Sequence, residues 1–142
     1  MNETHFEGKI AQKAIVLDKH DRVLLVRDPR ESEEIWELPG GRLNVDEGAR
    51  EGLVRELKEE LGVVFNIHEV IHMEQFIQGS EGNRAFVVVY RGTLEDTEAS
   101  FVLEDTEVSE VRWVSRSELQ NVPLFPEYSR ALESFFSKNT DI

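Results

Sequence analysis

Glu56, Glu59 and Glu60 stand at i, i+3 and i+4 in a stretch that Gly40-Gly41 precedes and Gly62 ends. On a helix turning about 100° per residue, they share one face within an arc of about 100°. Leu53, Val54, Leu57 and Leu61 fall in the adjacent arc, and Glu51, Arg55 and Lys58 take the remaining side. The stretch therefore predicts a helix with an apolar stripe on a core and an acidic stripe at the margin of that core. Asp46 is a candidate N-cap, Asn44 with Glu47 offers an alternative capping box, and Gly62 suits the C′ position. Acidic residues at these offsets are also common on solvated helices, where Arg55 and Lys58 would simply pair with them. Gathered at a core margin, they instead need neutralising, and a hard divalent cation with a preference for oxygen ligands does that.

The wider pattern separates the two readings. Gly41, Glu47, Arg55, Glu56, Leu57, Glu59, Glu60, Gly62 and Val63 occupy every specified position of G-x5-E-x7-R-E-U-x-E-E-x-G-U, where U is a bulky aliphatic residue. The chain here resembles the Nudix hydrolase family, and Trp36-Glu37-Leu38-Pro39-Gly40 is similar to the run that leads into that signature.

Around this box, Lys9 to Leu17 and Arg22 to Arg27 read as strands joined by a turn at Asp18-Lys19-His20-Asp21. Val23-Leu24-Leu25-Val26 is continuously apolar, as in a strand covered on both faces. Asp28 to Glu34 reads as a polar loop, Ile35 to Leu38 as a short strand stopped by Pro39-Gly40-Gly41, and Val63 to Gln78 as strand with breaks. Gly79 to Asn83 reads as a turn, Arg84 to Thr93 as strand, and Ser100 to Leu103 as a short strand in an acidic connection. Val108 to Val114 reads as strand, Ser115 to Leu119 as a helix start with a capping box from Ser115 to Glu118, and Pro126 to Ser137 as the last helix. Strands before, between and after the helices predict an α/β layered domain. The resemblance implies the same, a Nudix-type α/β/α sandwich with a mixed central β-sheet. Residues 1–142 are expected to form one domain, with 1–7 and 138–142 as frayed ends.

No apolar run approaches the length of about 18 residues that a membrane span needs. The first seven residues lack the basic and apolar regions of a secretory signal. The absence of cysteine excludes disulfides and thiolate metal sites and fits a cytoplasmic protein. The net charge of −13 argues against binding a nucleic-acid backbone or an anionic membrane. It also repels a phosphorylated substrate, so bound cations and local arginines must reverse the sign of the field within a site.

The resemblance implies a Mg²⁺-dependent pyrophosphohydrolase, with Mn²⁺ as a substitute, in which water attacks phosphorus in a nucleoside diphosphate-X or a nucleoside triphosphate. The alternative is a Nudix-fold module that binds a nucleotide without hydrolysing it. By the same resemblance Glu56, Glu59 and Glu60 are metal ligands, joined by the carbonyl of Gly40. Glu47 orients the loop or a bound water, and Arg55 fixes the carboxylates by charge-assisted hydrogen bonds. The general base is Glu59 inside the box or Glu107 beyond it, with Glu104, Asp105 and Glu110 competing with Glu107. Arg27 and Arg84, at the ends of predicted strands, are candidates for phosphate contacts. Trp36 and Phe76 are candidates for stacking on a base, against an ordinary place in the core. His68 and His72 are expected to share a strand face in structural or surface roles. A homodimer is a further expectation from the family.

Overall fold

A computed structural model describes residues 3–78 and 82–138. The expected turn at Gly79 to Asn83 and the expected frayed ends therefore lie partly outside the described residues. Strands β1 (Lys9–Val16), β2 (Val23–Arg27) and β3 (Gly40–Arg42) precede helix α1 (Ala49–Leu61). Strands β4 (Phe65–Gln78), β5 (Asn83–Leu94) and β6 (Glu110–Val114) follow, then α2 (Arg116–Leu119) and α3 (Pro126–Lys138). The main sheet has the order β3-β1-β5-β4, with β1 parallel to β5 and the other pairs antiparallel; β2 and β6 form a separate antiparallel pair. This is the α/β architecture with a mixed central sheet and flanking helices, and β2–β6 adds a second small sheet to it. Among the described residues, no helix is long and apolar enough to cross a membrane.

Burial explains the layering. The apolar run of β2 is buried at Val23, Leu24, Leu25 and Val26. Val23 and Leu25 join one core while Leu24 and Val26 join another, as alternation along a strand requires. β1 divides in the same way, with Ile15 in the first core and Ala14 and Val16 in the second. The first core packs against Tyr128, Ala131, Leu132 and Phe135 of α3, and the second against Leu53, Leu57 and Leu61 of α1.

Three local expectations need correction. Helix α1 begins after Gly48, which caps it without a side-chain hydrogen bond, and not at Asp46 or through a box from Asn44 to Glu47. Arg55 draws the Glu47 carboxylate away from the first turn. Residues 35–38 form only isolated bridges, Glu37 with Val26 and Trp36 with Leu124. The strand lies instead at Gly40–Arg42, against β1. Gly40 has φ of 139°, and a Cβ there would stand 2.1 Å from the Gln12 carbonyl oxygen, so only glycine lets the chain run this close. Residues 100–103 are not a strand; Val102 and Glu104 donate to the Leu61 and Glu60 carbonyls at 3.0 and 2.9 Å. They satisfy helix-end acceptors that α1 itself leaves free.

Other local features follow the sequence. Gly62 ends α1 in the left-handed conformation, and Ser115 with Glu118 forms both halves of the capping box of α2. Leu57 is fully buried between α1 and the sheet. Leu57→Ala is expected to cost about 3 kcal/mol, from lost transfer free energy plus a residual cavity, as measured by urea unfolding.

Candidate active site

The acidic stripe of α1 opens onto a cleft of about 840 Å³. Its lining includes Glu56, Glu59 and Glu60 with Gly40 and Gly41, and the aromatic residues Phe76, Phe125 and Tyr128. Two loops also contribute, one with Asp28, Arg30 and Glu31 and the other with Glu104 and Glu107, and they meet where Arg30 donates to Glu107.

Arg55 organises the box. Its Nε and Nη2 donate to the two carboxylate oxygens of Glu47 at 2.8 and 2.6 Å. Nη2 also donates to Glu56 at 3.1 Å, and Nη1 donates to Glu59 at 2.9 Å. The Arg55 guanidinium holds the Glu47 carboxyl below its usual range, with help from Asn44. Glu47 lies over α1 at Gly52, where a Cβ would stand 2.9 Å from its carboxylate oxygen. That contact explains a glycine inside a helix, a position that otherwise costs about 1 kcal/mol relative to alanine.

Glu60 behaves differently. Burial, reinforced by a hydrogen bond and the charge of Glu56, pushes its carboxyl up to about 8; Lys13 opposes this and Glu107 adds to it. Among the described residues, no three Asp, Glu or His side chains stand together in a metal-holding arrangement. Glu59 is drawn toward Arg55 instead. The donor set still suits a hard cation, since Glu56, Glu59, Glu60 and the Gly40 backbone offer only oxygen ligands around one cleft.

Lys13 is 6% exposed in the floor of the cleft, although it stands in the middle of β1. Its ammonium donates to Glu37 at 2.8 Å and lies 5.4 Å from the Tyr128 ring centre. Burial works against its charge, while Tyr128 and Glu37 outweigh that and hold it above its ordinary range. Glu127, also lining the cleft, is pushed up by burial.

The other sequence candidates divide. Glu107 lines the cleft and accepts from Arg30 at 3.0 Å, and Glu104 lines it too; Asp105 and Glu110 do not. Arg27 and Arg84 lie outside the lining. Arg27 faces its cross-strand partner Glu110 at 3.8 Å, and Arg84 donates to Gln75 at 3.1 Å. Ala85 does line the cleft, so alternation turns Arg84 to the other face of β5. Trp36 is buried in the core beside α3, whereas Phe76 reaches the cleft. Two bulges interrupt β4, and His68 meets Arg91 and Thr93 while His72 meets Glu74. Sequence reasoning missed Lys13, Arg30, Glu37, Phe125, Glu127 and Tyr128. Only Lys13 carried a signal, as a lone charge inside an apolar strand.

The NUDIX domain family model matches residues 9–135. This chain is a Nudix hydrolase. It is 29% identical over 126 residues to the CTP pyrophosphohydrolase of Escherichia coli (strain K12), across 87% of this chain and 89% of that protein. It is 31% identical over 130 residues to a putative 8-oxo-dGTP diphosphatase of Bacillus subtilis (strain 168), across 90% and 80%. The solution structure of the E. coli ORF135 protein matches with a TM-score of 0.77 at 26% identity, covering 94% of this chain and 92% of that one. The MutT protein from Methanosarcina mazei Go1 matches with a TM-score of 0.79 at 26% identity, covering 96% and 100%.

The raised Glu60 pKa makes stability of the cation-free Nudix hydrolase depend on pH. Between the ordinary carboxyl value of 4.5 and about 8, the folded protein binds more protons at this group than the unfolded chain. Stability from this group is therefore fully present below 4.5 and is lost as pH rises through about 8. Urea unfolding with a chelator, at pH 6 and pH 8.5, is expected to show a larger loss for the wild-type protein than for Glu60→Gln.

Proposed function

We propose that this Nudix hydrolase cleaves a diphosphate bond in a nucleoside triphosphate or another nucleoside diphosphate derivative, with Mg²⁺ held by Glu56, Glu60 and the Gly40 carbonyl. Glu59 joins these ligands in the loaded site, and Mn²⁺ serves as a substitute. The observation that carries this reading is that Glu56, Glu59, Glu60 and Gly40 line one cleft of nucleotide size, with the Glu60 carboxyl half-buried beside Glu56. A bound divalent cation supplies charge neutralisation of the diphosphate and acidifies water.

The chain's own residues do the rest. Arg55 sets the spacing of Glu47, Glu56 and Glu59 in the free protein through its fork of N–H groups. Glu59 and Glu107 are the two candidates for taking a proton from water. Each is tied to an arginine in the free protein, Glu59 to Arg55 and Glu107 to Arg30. Whichever acts must give up that bond. Phe76, Phe125 and Tyr128 are the aromatic residues of the lining suited to the base, with Lys13 as a donor and Glu37 and Glu127 as carboxyl groups in the same cleft. Arg27 and Arg84 are poorly placed for phosphate contacts in this arrangement. The named activities of the two relatives, on CTP and on 8-oxo-dGTP, support a nucleoside triphosphate as the first substrate to try.

The test is hydrolysis of a panel of CTP, 8-oxo-dGTP, nucleotide sugars and dinucleoside polyphosphates, with and without Mg²⁺. Phosphorus NMR in ¹⁸O-labelled water locates the attacked atom. Glu60→Gln is expected to keep the fold and lose turnover by at least about tenfold, equivalent to about 1.4 kcal/mol of transition-state stabilisation. Full activity in that variant, or no cleavage of any compound by the wild-type protein, would overturn the reading.

A further inference from the structure

Arg30 stands on the loop leaving β2 and lines the cleft. Its Nε and Nη2 donate to the two oxygens of Asp28 at 2.9 and 3.0 Å, and its backbone N–H donates to Asp28 Oδ1 at 2.8 Å. The same Nη2 donates to Glu107 Oε2 at 3.0 Å, from a loop far along the chain. Asp28 thus fixes the plane of the guanidinium, and Glu107 takes a further N–H of Nη2. The Glu107 loop is itself anchored. Glu104 donates to the Glu60 carbonyl, Glu107 to the Glu104 carbonyl, and Ser109 to the Arg27 carbonyl, each at 2.9 Å. Arg30, Asp28 and Glu107 all line the same cleft as the box glutamates.

A guanidinium oriented by one carboxylate presents its remaining N–H groups to a second anion, and phosphate oxygens suit that fork as well as a carboxylate does. The deep cation of the cleft, Lys13, is already engaged by Glu37. We propose that Arg30 is a phosphate-binding residue whose partner in the free protein is Glu107. The Glu107 carboxylate fills the subsite in place of a phosphoryl oxygen and leaves it when a polyphosphate arrives. This rests on the polyphosphate reading above and adds an exchange of partners. Substrate takes the Nη2 hydrogen bond that Arg30 gives to Glu107, and Glu107 is released beside Glu60 only when there is something to cleave.

The opposing reading is a bridge that merely staples two loops. Either substitution breaks such a bridge, so Arg30→Ala and Glu107→Gln would change binding in the same direction. Partner exchange predicts opposite directions. The measurement is calorimetric titration of the Mg²⁺-loaded protein with a methylene-bridged tripolyphosphate analogue that cannot be hydrolysed, at one fixed ionic strength. Arg30→Ala is expected to weaken binding at least about fivefold, and Glu107→Gln to strengthen it at least about twofold. Glu104→Gln removes the same charge from the same loop and is the control. The proposal is overturned by undiminished binding in Arg30→Ala, by Glu107→Gln binding no more tightly than Glu104→Gln, or by no binding to the wild-type protein. Because the titration involves no turnover, its failure is distinct from a failure of wild-type hydrolysis with Mg²⁺.

Discussion

One guanidinium sets the geometry of the acidic helix. Arg55 donates to Glu47, Glu56 and Glu59 at once, and those contacts join the loop before α1 to two successive turns of it. The neighbouring carboxylates would otherwise spread into solvent to relieve their repulsion. A planar fork holds several of them in one arrangement, which the compact ammonium of lysine does not do. The cost appears at the start of the helix, where Glu47 is taken from any capping role and Gly48 caps without a side chain. It appears again at Gly52, which gives up helix propensity so that Glu47 lies against the backbone.

The sheet decides where this helix stands. β1 and β2 are buried on both faces, so each divides its side chains between a core under α1 and a core under α3. Gly40 and Gly41 run along the edge of β1, which brings the Gly40 carbonyl to the same wall as Glu56 and Glu60. The loop at 100–109 reaches that wall by hydrogen-bonding to the carbonyls of Glu60 and Leu61. A helix end that needed acceptors satisfied thereby carries Glu104 and Glu107 to the cleft.

What was legible in the sequence follows from the range of each interaction. The apolar run of β2, the left-handed end at Gly62 and the capping box at Ser115 are local, and all are found. The box glutamates are spaced by one helix, so their common face was readable as well. The edge strand at Gly40–Arg42 was missed because glycine normally punctuates a strand, and only the neighbouring Gln12 carbonyl explains it here. Arg27 and Arg84 were placed correctly along the chain, but cross-strand pairing and the alternation of β5 turn them from the cleft. Arg30, Phe125 and Tyr128 come together only through tertiary contacts, and no local spacing announces them. Lys13 is the exception, since a lysine inside an otherwise buried strand demands a partner, and Glu37 provides it.

The charge of the molecule gives the cleft its logic. Nine of the cleft-lining residues are carboxylic acids and four are basic, within a chain of net charge −13. Such a field slows the approach of any polyanion, and at physiological salt the repulsion is screened beyond about 8 Å. What decides binding is therefore the inner few ångströms. There Arg30 is paired with Asp28 and Glu107 and Lys13 with Glu37, while Arg55, behind the wall, is paired with the box. A cation oriented by one carboxylate keeps its remaining N–H groups aimed at a second anion. Glu60 poses the opposite problem, since burial and the neighbouring Glu56 push its carboxyl up and disfavour a second negative charge in a half-buried place. A cleft built this way keeps an excess of carboxylic acids at its wall, so a cation entering with a polyphosphate offsets the charge of both.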